Sequence, residues 1–600
     1  MTDEINFSKE IIRVITEQTS VMGITGSPST TLDIEIDITE EKKTERALGQ
    51  MVFVVLNEDG RDVLVIGQII SVETKNRWHE DPSFKGVIKR HGKLPHLSGT
   101  ADNRVATISV QACYALDKNE PESHILGTSP STGESIKKMN NDVMRSLMKS
   151  NENHITYMGK VYGTDVDLPF WFKHFDKTNE GELGAKDAYH IGVFGKTGSG
   201  KTVTAAYMLL GYAKNKKNIS TLVLDPQGQF TLDSELLPQN ASFKEKIEGF
   251  GVKYETYNMI EDVCLPGDKY ELFGELLVNN GFIHKAFYPI YTEDKIESAK
   301  QGIVDYLIGR SNFKGFSLNN IFNRSGSITK KELLKEMLEN FSKAEEEKDK
   351  FSKFVINVYG TRDTRNRLVG RINQILEHFE SETEMIEKWE TALNLFSAKK
   401  EDGSSKVKVE DVVNKIVKEN GNFIVFDLSP KKGDIENENL QALFVKIIEE
   451  KIVYAGSQLY TEGKKANCLI VMDEAHRFIS KESPDQRIKD LTNEIVGSVR
   501  TTRKYGIGYM FITQTIESLD NEIVNQMRIF SFGYGLTSGS ELRKVSEVIN
   551  NKSAIQLYKS FIDPSSNNKF PFMFFCPISP LSFTGSPLFM EVYGDVSMFS

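Results

Sequence analysis

Short and almost wholly apolar segments recur along the chain, each bounded by polar or glycine-rich residues. They predict buried strands at residues 189–194, 220–225, 422–429, 468–474, 508–513 and 529–532. Periodic amphipathic segments between them predict helices at residues 203–213, 438–454, 484–504 and 540–549. Buried strands that alternate with helices are typical of a parallel sheet with helices on both faces. The pattern therefore predicts an α/β core whose ligands bind at the carboxyl ends of the strands.

The N-terminal region follows a different pattern. Strand-like runs at 51–56, 62–70 and 104–114 are separated by turns rich in Gly, Asn and Asp. Short strands with such turns favour a small β-barrel. Within this region a helical run is predicted at 134–148, and a polar linker is predicted at 176–187.

The pattern changes again between the two groups of core strands. Long helical segments rich in Lys and Glu dominate there, for example at 328–350 and 368–395, without sustained heptads. We interpret this block as a helical insertion into the core. The chain is then divided into an N-terminal barrel with its linker at 1–180, the first part of the core at 181–260, the insertion at 261–415 and the second part of the core at 416–600.

Composition places the chain among ordinary globular proteins. Its 600 residues are too many for one hydrophobic core, and 39% hydrophobic with 26% charged residues is an average balance. No apolar run approaches the ~18–20 residues that span a bilayer, and the acidic N-terminus lacks the order of a signal peptide. Four scattered cysteines without a C-x-x-C pair are expected to be reduced core residues. We therefore expect a cytoplasmic protein without a membrane segment.

The net charge bears on nucleic-acid binding. The chain carries a formal charge of −10, whereas proteins that coat DNA on an open face are usually basic. Any positive surface for DNA must then be concentrated locally, for example along a channel.

Residues 195–202 (GKTGSGKT) fit the pattern G-x-x-x-x-G-K-[ST], between a predicted strand and a predicted helix. Glycines let the backbone turn tightly, so that its N–H groups and the helix N-terminus face phosphate oxygens. Lys201 is expected to reach the β- and γ-phosphates, and the Thr202 hydroxyl is expected to hold Mg²⁺. The predicted nucleotide-binding residues are Gly195, Thr197, Gly198, Ser199, Gly200, Lys201, Thr202 and Val203. The segment predicts that the chain binds a nucleoside triphosphate.

A pair of acidic residues ends the predicted strand at 468–474. This is a Walker B pattern, in which Asp473 would hold Mg²⁺ through water. Glu474 is suited to orient and deprotonate the attacking water. His476 is a second candidate base, but packing near the site is the interpretation that we favour for it. A metal site formed by Thr202 and Asp473 and a catalytic Glu474 are therefore predicted.

Polar and basic residues near the next strand complete the set. Gln514, directly after the predicted strand at 508–513, could sense the γ-phosphate or could simply be a polar strand end. Arg500 and Arg503 lie at the end of the preceding helix, where cations are favourable for dipole reasons alone. The alternative is an arginine finger supplied to a neighbouring subunit, a role for which we favour Arg503 over Arg500 and consider Arg528 third.

Several motifs together resemble those of one known family. They are residues 190–202, 225–228 (DPQG), 426–429 (FDLS), 473–478 (DEAHRF) and 503–506 (RKYG), with Thr513 and Gln514. This ordered set resembles the HerA branch of the HerA/FtsK translocases, over most of the chain. The resemblance implies a RecA/FtsK-like core with a preceding barrel and an inserted helical bundle. One departure is Gln229, which stands where many members have an acidic residue.

The resemblance also implies a function. It implies a hexameric ring that hydrolyses ATP with Mg²⁺ between subunits and moves double-stranded DNA through its central hole. It implies a partner bound through the barrel: the nuclease NurA, or in antiphage defence a sirtuin-like NAD-degrading protein or another effector. The residue roles that it implies are phosphate and Mg²⁺ contacts for Lys201 and Thr202, the Walker B pair Asp473 and Glu474, a sensor at Gln514, a finger at Arg503 or Arg500, and a C-terminal segment at 579–585 that braces the neighbouring nucleotide.

Two functions of different classes remain open. The first is a motor, a helicase-type ATPase that translocates DNA and feeds a nuclease or another effector. The second is a ring-shaped scaffold that holds and activates an effector, with ATP as the signal for assembly or release. A protein-secretion ATPase is a third reading, and no membrane anchor supports it.

Overall fold

The computed structural model describes most of the chain. The described residues are 6–18, 20–172, 188–214, 219–232, 236–287, 292–314, 316–321, 328–342, 362–400, 402–429, 438–480, 486–575, 577–582 and 584–599. The predicted linker at 176–187 and the end of the predicted helix at 328–350 lie outside these residues. Cys113, Cys264 and Cys468 are buried, as expected of core residues, and Cys576 is not described.

The N-terminal region contains a closed β-barrel, as predicted. Its elements are α1 (Phe7–Glu17), β1 (Val21–Thr25), β2 (Asp33–Ile38), β3 (Met51–Glu58), β4 (Arg61–Lys75), α2 (Arg77–Glu80), α3 (Pro82–His91), β5 (Asn103–Ala115), β6 (Glu122–His124), β7 (Ser135–Lys138), α4 (Asn141–Met148), β8 (Ile155–Val161) and β9 (Asp167–Trp171). Six strands pair in the order β2-β1-β7-β3-β4-β5, and a β2–β5 pairing closes the barrel. Alternate residues such as Ile36, Val54 and Val65 fill its interior.

The single helical run predicted at 134–148 is wrong in its first part. Ser135–Lys138 is strand β7, which pairs with both β1 and β3, and its Ile136 is fully buried in the barrel. The helix begins only after Asn140, whose side chain accepts the backbone N–H of Val143 at 2.9 Å. Long-range pairing with β1 and β3 therefore prevails over the local helix-like composition.

The core begins with the strand and helix on either side of the predicted nucleotide loop. The elements of this first part are β10 (His190–Phe194), α5 (Lys201–Lys214), β11 (Ser220–Asp225), α6 (Gln229–Leu232), α7 (Phe243–Gly249) and β12 (Lys253–Asn258). Asp225 accepts the backbone N–H groups of Gln229, Phe230 and Thr231, which fixes the start of α6. The strand–loop–helix order predicted around 195–202 is confirmed.

Helices dominate the described part of the next block. The elements are β13 (Val263–Cys264), α8 (Tyr270–Asn279), α9 (Phe282–Ala286), α10 (Glu293–Lys314), α11 (Lys330–Ser342), α12 (Arg362–Glu377), α13 (Thr383–Asn394), β14 (Val407–Lys408) and α14 (Val409–Lys418). The short parallel pair β13–β14 brings the two ends of the block together. Trp389 of α13 is fully buried against Phe273 of α8 and Phe282 of α9.

The second part of the core returns to alternating strands and helices. Its elements are β15 (Asn422–Asp427), α15 (Glu438–Thr461), β16 (Cys468–Met472), α16 (Gln486–Thr502), β17 (Ile507–Thr513), α17 (Asn521–Gln526), β18 (Met527–Gly533), α18 (Gly539–Ile549), α19 (Lys552–Lys559), α20 (Pro564–Asn567), β19 (Phe570–Phe575) and β20 (Leu588–Val592). Among the described helices of the whole chain, none combines the length and the apolar character needed to cross a bilayer.

One large sheet organises the core. Its order is β12-β15-β11-β16-β17-β10-β18-β19-β20-β8-β9. The seven strands from β12 to β18 are parallel, and the last four extend the sheet in antiparallel fashion. Two of those four, β8 and β9, come from the chain before the nucleotide loop.

Helices cover both faces of this sheet, as predicted. Val223 and Val471 pack into the apolar core that contains α5, whereas Leu224 and Met472 pack into the core that contains α15 and α16. Neighbouring residues of one strand point to opposite faces, so each parallel strand is apolar on both sides. Because all seven strands run the same way, their polar end residues meet along one edge of the sheet.

Candidate functional site

The nucleotide loop lies at the carboxyl edge of the sheet, between β10 and α5. Gly198 and Gly200 have φ angles of 79° and 86°, a region that favours glycine. A β-carbon on Gly200 would also lie 2.4 Å from Cδ1 of Phe570, so this position has no room for a side chain. The loop is held by the N–H of Ser199, which donates to the carbonyl of Lys196 at 3.0 Å. The backbone is thus shaped as a phosphate-binding loop requires.

Lys201 is the first residue of α5 and is 8% exposed. Its ammonium donates to the carbonyl oxygen of Lys196 at 3.3 Å, back across the loop. Burial lowers the pKa of Lys201, while the carboxylates of Glu474 and Asp473 act in the opposite direction. A partly desolvated cation beside a ring of backbone N–H groups is suited to an incoming phosphate.

Thr202 and Asp473 have the chemistry of a magnesium site. Thr202 donates its hydroxyl hydrogen to Oε1 of Gln229 at 3.0 Å, and its own oxygen is a hard ligand. Asp473 is 1% exposed, and its Oδ2 is a buried oxygen without a hydrogen-bond partner within the described part of the chain. Burial, with the nearby Asp225 and Glu474, raises the pKa of Asp473 to about 8. A divalent cation would favour the ionised carboxylate of Asp473 over its protonated form, so the residues present fit Mg²⁺.

Glu474 adopts an unusual backbone conformation. Its φ and ψ angles are 44° and 47°, in the left-handed region that is uncommon for residues with a β-carbon. The turn directs its side chain toward Gln514 Nε2, at 3.4 Å, and toward Nδ1 of His476, at 3.3 Å. Strain of this kind, about 1–3 kcal/mol per residue, persists only where the surroundings enforce it. It turns the second carboxylate of the acidic pair away from the strand and toward the loop.

Gln514 connects the two halves of the site. Its Oε1 accepts the hydroxyl hydrogen of Thr197 at 3.1 Å, and its Nε2 faces both carboxylate oxygens of Glu474 at 3.4 and 3.5 Å. His476 lies 3.4 Å from the hydroxyl of Thr513 and so packs beside the same strand end. The side-chain amide therefore lies between the phosphate loop and the acidic residue, where a γ-phosphate and its attacking water would lie.

Comparison with known proteins agrees with this geometry. Residues 186–452 match the family model described as "Helicase HerA, central domain". The DNA double-strand break repair helicase HerA of Sulfurisphaera tokodaii is 22% identical over 399 residues, which are 66% of this chain and 62% of that protein. The middle of the chain is therefore similar to the central domain of HerA. The aligned region thus spans less than two thirds of this curated relative.

Solved structures similar to this chain show a weak overall likeness. VirB4 of Thermoanaerobacter pseudethanolicus is 14% identical with a TM-score of 0.37, over 74% of this chain and 97% of that one. The genome packaging NTPase B204 from Sulfolobus turreted icosahedral virus 2, in complex with ATP-gammaS, is 16% identical with a TM-score of 0.20, over 31% and 72%.

The predicted finger residues Arg500 and Arg503 lie at the other edge of the sheet. Arg500 is in the last turn of α16, and Arg503 is in the short turn that precedes β17. Phe194 pairs with Thr513, so the nucleotide loop is level with the end of β17 and not with its start. Six strand steps of about 3.3 Å place the two arginines about 20 Å from their own loop. Neither of them is brought to the site of the same chain.

Arg500 and Arg528 also have partners at that far edge. Nη1 of Arg500 is 3.2 Å from Oε2 of Glu522, and both side chains are more than half exposed. The guanidinium of Arg528 lies 5.0 Å from the ring centre of Tyr189. The predicted set therefore divides in two: the loop, Asp473, Glu474 and Gln514 come together, and the arginines do not.

Residues after β18 form a part of the site that sequence reasoning missed. The N–H of Lys196 donates to the carbonyl of Tyr534 at 3.1 Å. A β-carbon on Gly535, whose φ angle is 102°, would lie 2.5 Å from Cγ of Lys196. The Tyr558 hydroxyl, which donates to the carbonyl of Gly533, holds this segment in place. The two glycines on either side of Tyr534, directly after a predicted strand, were the available signal.

The described residues of the C-terminal segment at 579–585 pack within their own chain. The Ser579 hydroxyl donates to the carbonyl of Pro169 at 2.6 Å, and the Thr584 hydroxyl donates to the carbonyl of Val110 at 2.6 Å. Ser579 and Leu581 are fully buried. The described residues of this segment fasten the barrel to the core of the same chain, and the brace for a neighbouring nucleotide stays a prediction.

Proposed function

We propose that this chain hydrolyses ATP at interfaces between its own copies in a hexameric ring, and that hydrolysis drives the movement of double-stranded DNA. The loop at 195–202 and Lys201 would bind and orient the triphosphate. Thr202 and Asp473 would hold Mg²⁺, which supplies charge stabilisation at the β- and γ-phosphates. Glu474 would take the proton of the attacking water, and Gln514 would position that water against the γ-phosphate.

The observation that carries this proposal is the division of the predicted site. Gln514 reaches both the loop residue Thr197 and Glu474, so the parts needed for hydrolysis converge in one chain. Arg500 and Arg503, the candidates for the cation that would stabilise the transition state, are about 20 Å away along β17. A second copy could place the sheet edge that carries its arginines against the edge that carries this nucleotide loop. It would then supply the arginine finger in trans.

The wider assembly belongs to the same proposal. We infer that the chain forms a cytoplasmic ring. In each copy, residues 1–180 form a docking domain, from which β8 and β9 extend the core sheet. The helices at 261–415 form a bundle inserted into the core. The named relative is a DNA repair helicase, which supports DNA as the partner. A nuclease of the NurA type, or a sirtuin-like or other antiphage effector, would bind through the barrel.

Two lysines on one helix offer a matched test of nucleotide use. Lys201 begins α5 and Lys214 ends it. Lys201→Ala removes the phosphate contact, so we expect loss of ATP binding in a fluorescent-nucleotide titration and loss of turnover. Lys214→Ala is expected to leave both at the wild-type level. Wild-type binding by Lys201→Ala would contradict the proposed site.

Duplex DNA distinguishes the motor from the scaffold. If the chain translocates DNA, its ATP turnover rises with duplex DNA and the stimulation falls steeply with salt, because phosphate contacts release counterions. Turnover that ignores DNA, combined with effector activity that changes in Lys201→Ala, would instead favour the ATP-regulated scaffold. The measurement is steady-state phosphate release at several salt concentrations, with and without DNA.

A further inference from the structure

His190, the first residue of β10, is fully buried and uses both of its ring nitrogens. Nδ1 accepts the backbone N–H of Tyr509 at 3.1 Å, and Nε2 is 2.9 Å from the backbone carbonyl oxygen of Val499. A backbone N–H can only donate, so Nδ1 is the acceptor and the proton is on Nε2. Burial lowers the pKa of His190 to about 4, so the ring is neutral and this tautomer is fixed.

A second bond joins the same two elements. The N–H of Ala188, two residues before β10, donates to the carbonyl oxygen of Arg503 at 3.3 Å. Val499 is in the last turn of α16, where backbone carbonyls take partners from outside the helix. Val499 and Arg503 lie on either side of Arg500 in sequence. The entry to β10 therefore holds the arginine-bearing turn by its backbone at two points.

The bond from His190 to β17 replaces a step of regular strand pairing. Regular parallel pairing between β10 and β17 begins one residue later, at Ile191 and Met510. At the preceding position the N–H of Tyr509 meets the imidazole ring instead of a backbone carbonyl. One side chain thus contacts a neighbouring strand and the helix that covers it, and a residue with a single polar atom could not do both.

The opposite end of β10 leads directly into the nucleotide loop. β10 has only five residues, so about 15 Å of extended chain separates His190 from the loop. It lies between β17 and β18 in the middle of the sheet, where its pairing leaves little freedom other than small shifts along its own direction. His190 and the nucleotide loop are therefore joined by one short and fully buried strand.

We propose that His190 is a positioning residue. It links the nucleotide loop of one protomer to the turn that carries Arg500 and Arg503. The same protomer presents this turn to the nucleotide site of the next protomer. The inference rests on the proposed function, since it needs a finger that acts in trans. Through His190 and Ala188, the strand that carries the loop of one site fixes the position of Arg503, or of Arg500, at the neighbouring site. The ring itself touches neither nucleotide.

A double-mutant cycle tests this link. We compare ATP turnover of wild type, His190→Phe, Arg503→Ala and the double variant, with Arg500→Ala and its double variant in parallel. Phe fills the space of the imidazole but cannot hold Val499 or Tyr509. We expect His190→Phe alone to lower kcat about tenfold, because a finger displaced by about 1 Å loses much of its effect. In a protein that already lacks the finger arginine, adding His190→Phe should lower kcat no further.

Control variants separate positioning from general stability. Tyr509→Phe removes the neighbouring buried hydroxyl, which donates to Glu449, but leaves both bonds of His190. It is expected to keep wild-type turnover. ATP affinity should be unchanged in His190→Phe, since its own loop is intact. His190→Gln retains one amide donor for Val499 and should recover part of the lost turnover; it also replaces His190→Phe in the cycle if that variant does not fold.

A mixed assembly provides a readout in trans. Wild-type subunits are assembled with an excess of Lys201→Ala subunits, which bind no nucleotide but still present their arginines. Adding His190→Phe to the Lys201→Ala subunits should lower turnover at the wild-type sites, whereas adding Tyr509→Phe should not.

The outcomes distinguish failure of the inference from failure of the proposed function. If neither Arg503→Ala nor Arg500→Ala lowers turnover, the trans finger itself is wrong. If an arginine variant lowers turnover but His190→Phe does not, or if the two losses add in full in the cycle, the positioning role of His190 is overturned. If His190→Phe lowers turnover only in proteins that retain the finger arginine, the result supports the positioning role of His190.

Discussion

At the scale of single residues, the left-handed backbone of Glu474 is the feature that separates the two acidic neighbours. Asp473 continues the line of the strand and keeps a buried oxygen that has no hydrogen-bond partner among the described residues, while Glu474 turns toward Gln514. Two adjacent carboxylates thereby face different parts of one site, one suited to a cation and the other to a water. A strained conformation at this point agrees with a catalytic use of the side chain.

Glu474→Gln tests that assignment. The amide keeps the size of the side chain and its contacts with Gln514 and His476, but it cannot accept a proton from water. We expect kcat for ATP to fall by about 10²–10⁴-fold with little change in nucleotide affinity. Glu462→Gln, at an exposed position, serves as the control and should match wild type. Turnover retained by Glu474→Gln would exclude a role as the general base.

A second carboxyl group, far from the nucleotide loop, predicts a pH dependence of stability. Glu449 is fully buried on α15, and burial raises its pKa from 4.5 to about 8. The folded chain therefore holds this proton between about pH 4.5 and pH 8, whereas the unfolded chain releases it. Stability contributed by this group is complete below pH 4.5 and is lost as the pH rises to 8, by at most about 1.4 kcal/mol per pH unit.

Glu449→Gln measures this contribution. The amide can keep the bond from the Tyr509 hydroxyl, now at 2.8 Å, and it does not titrate. We expect the free energy of unfolding of the variant, measured by denaturant titration, to fall less steeply between pH 5 and pH 8 than that of wild type. Parallel slopes for the two proteins would contradict an elevated pKa at Glu449.

At the scale of elements, the contact between barrel and core depends on the C-terminal segment. Gln68 and Gln111, both fully buried, donate side-chain N–H groups to the carbonyls of Phe589 and Pro587. The hydroxyl of Tyr114 donates to the carbonyl of Pro580 at 2.7 Å. These bonds satisfy backbone carbonyls of the segment, and the carbonyl of Phe589 also accepts the N–H of Tyr162 at 2.9 Å.

Tyr114→Phe tests the strength of that contact. It leaves the Pro580 carbonyl buried without its partner, which should lower the free energy of unfolding by about 1–2 kcal/mol. Tyr454→Phe, on a ring that is 61% exposed, is the control and should change stability by less than about 0.5 kcal/mol. The free energies of unfolding of both variants are measured by denaturant titration. Equal values for Tyr114→Phe and Tyr454→Phe would contradict the claim that the C-terminal segment holds the barrel to the core.

The same elements show which parts of the fold can be predicted from sequence patterns. The parallel strands could be predicted because they are buried on both faces, so each appears as an uninterrupted apolar run with a turn signal at its end. β7 could not, since only its pairing with β1 and β3 makes a strand of Ser135–Lys138. For the same reason the packing of 579–582 under the barrel and the two bonds of His190 depend on residues distant in sequence. The loop, Asp473, Glu474 and Gln514 were predictable because short motifs carry them.

At the scale of the whole molecule, the sheet separates the two groups of residues in the proposed site. The nucleotide loop and the acidic pair lie at the carboxyl edge, and Arg500, Arg503 and Arg528 lie at the amino edge. A single copy cannot bring these edges together, because the parallel strands between them are rigid and about 20 Å long. Head-to-tail contact between copies would do so at every interface of a closed ring.

Mixing two inactive variants tests this composite site most directly. Lys201→Ala subunits lack a working loop but still present their arginines, and subunits with both Arg500→Ala and Arg503→Ala have the opposite defect. In an equal mixture about a quarter of the interfaces join an intact loop to an intact arginine edge, so ATP turnover should return to about that fraction of the wild-type rate. A mixture that stays as inactive as its two components, although gel filtration shows that they assemble together, would contradict a site shared between copies.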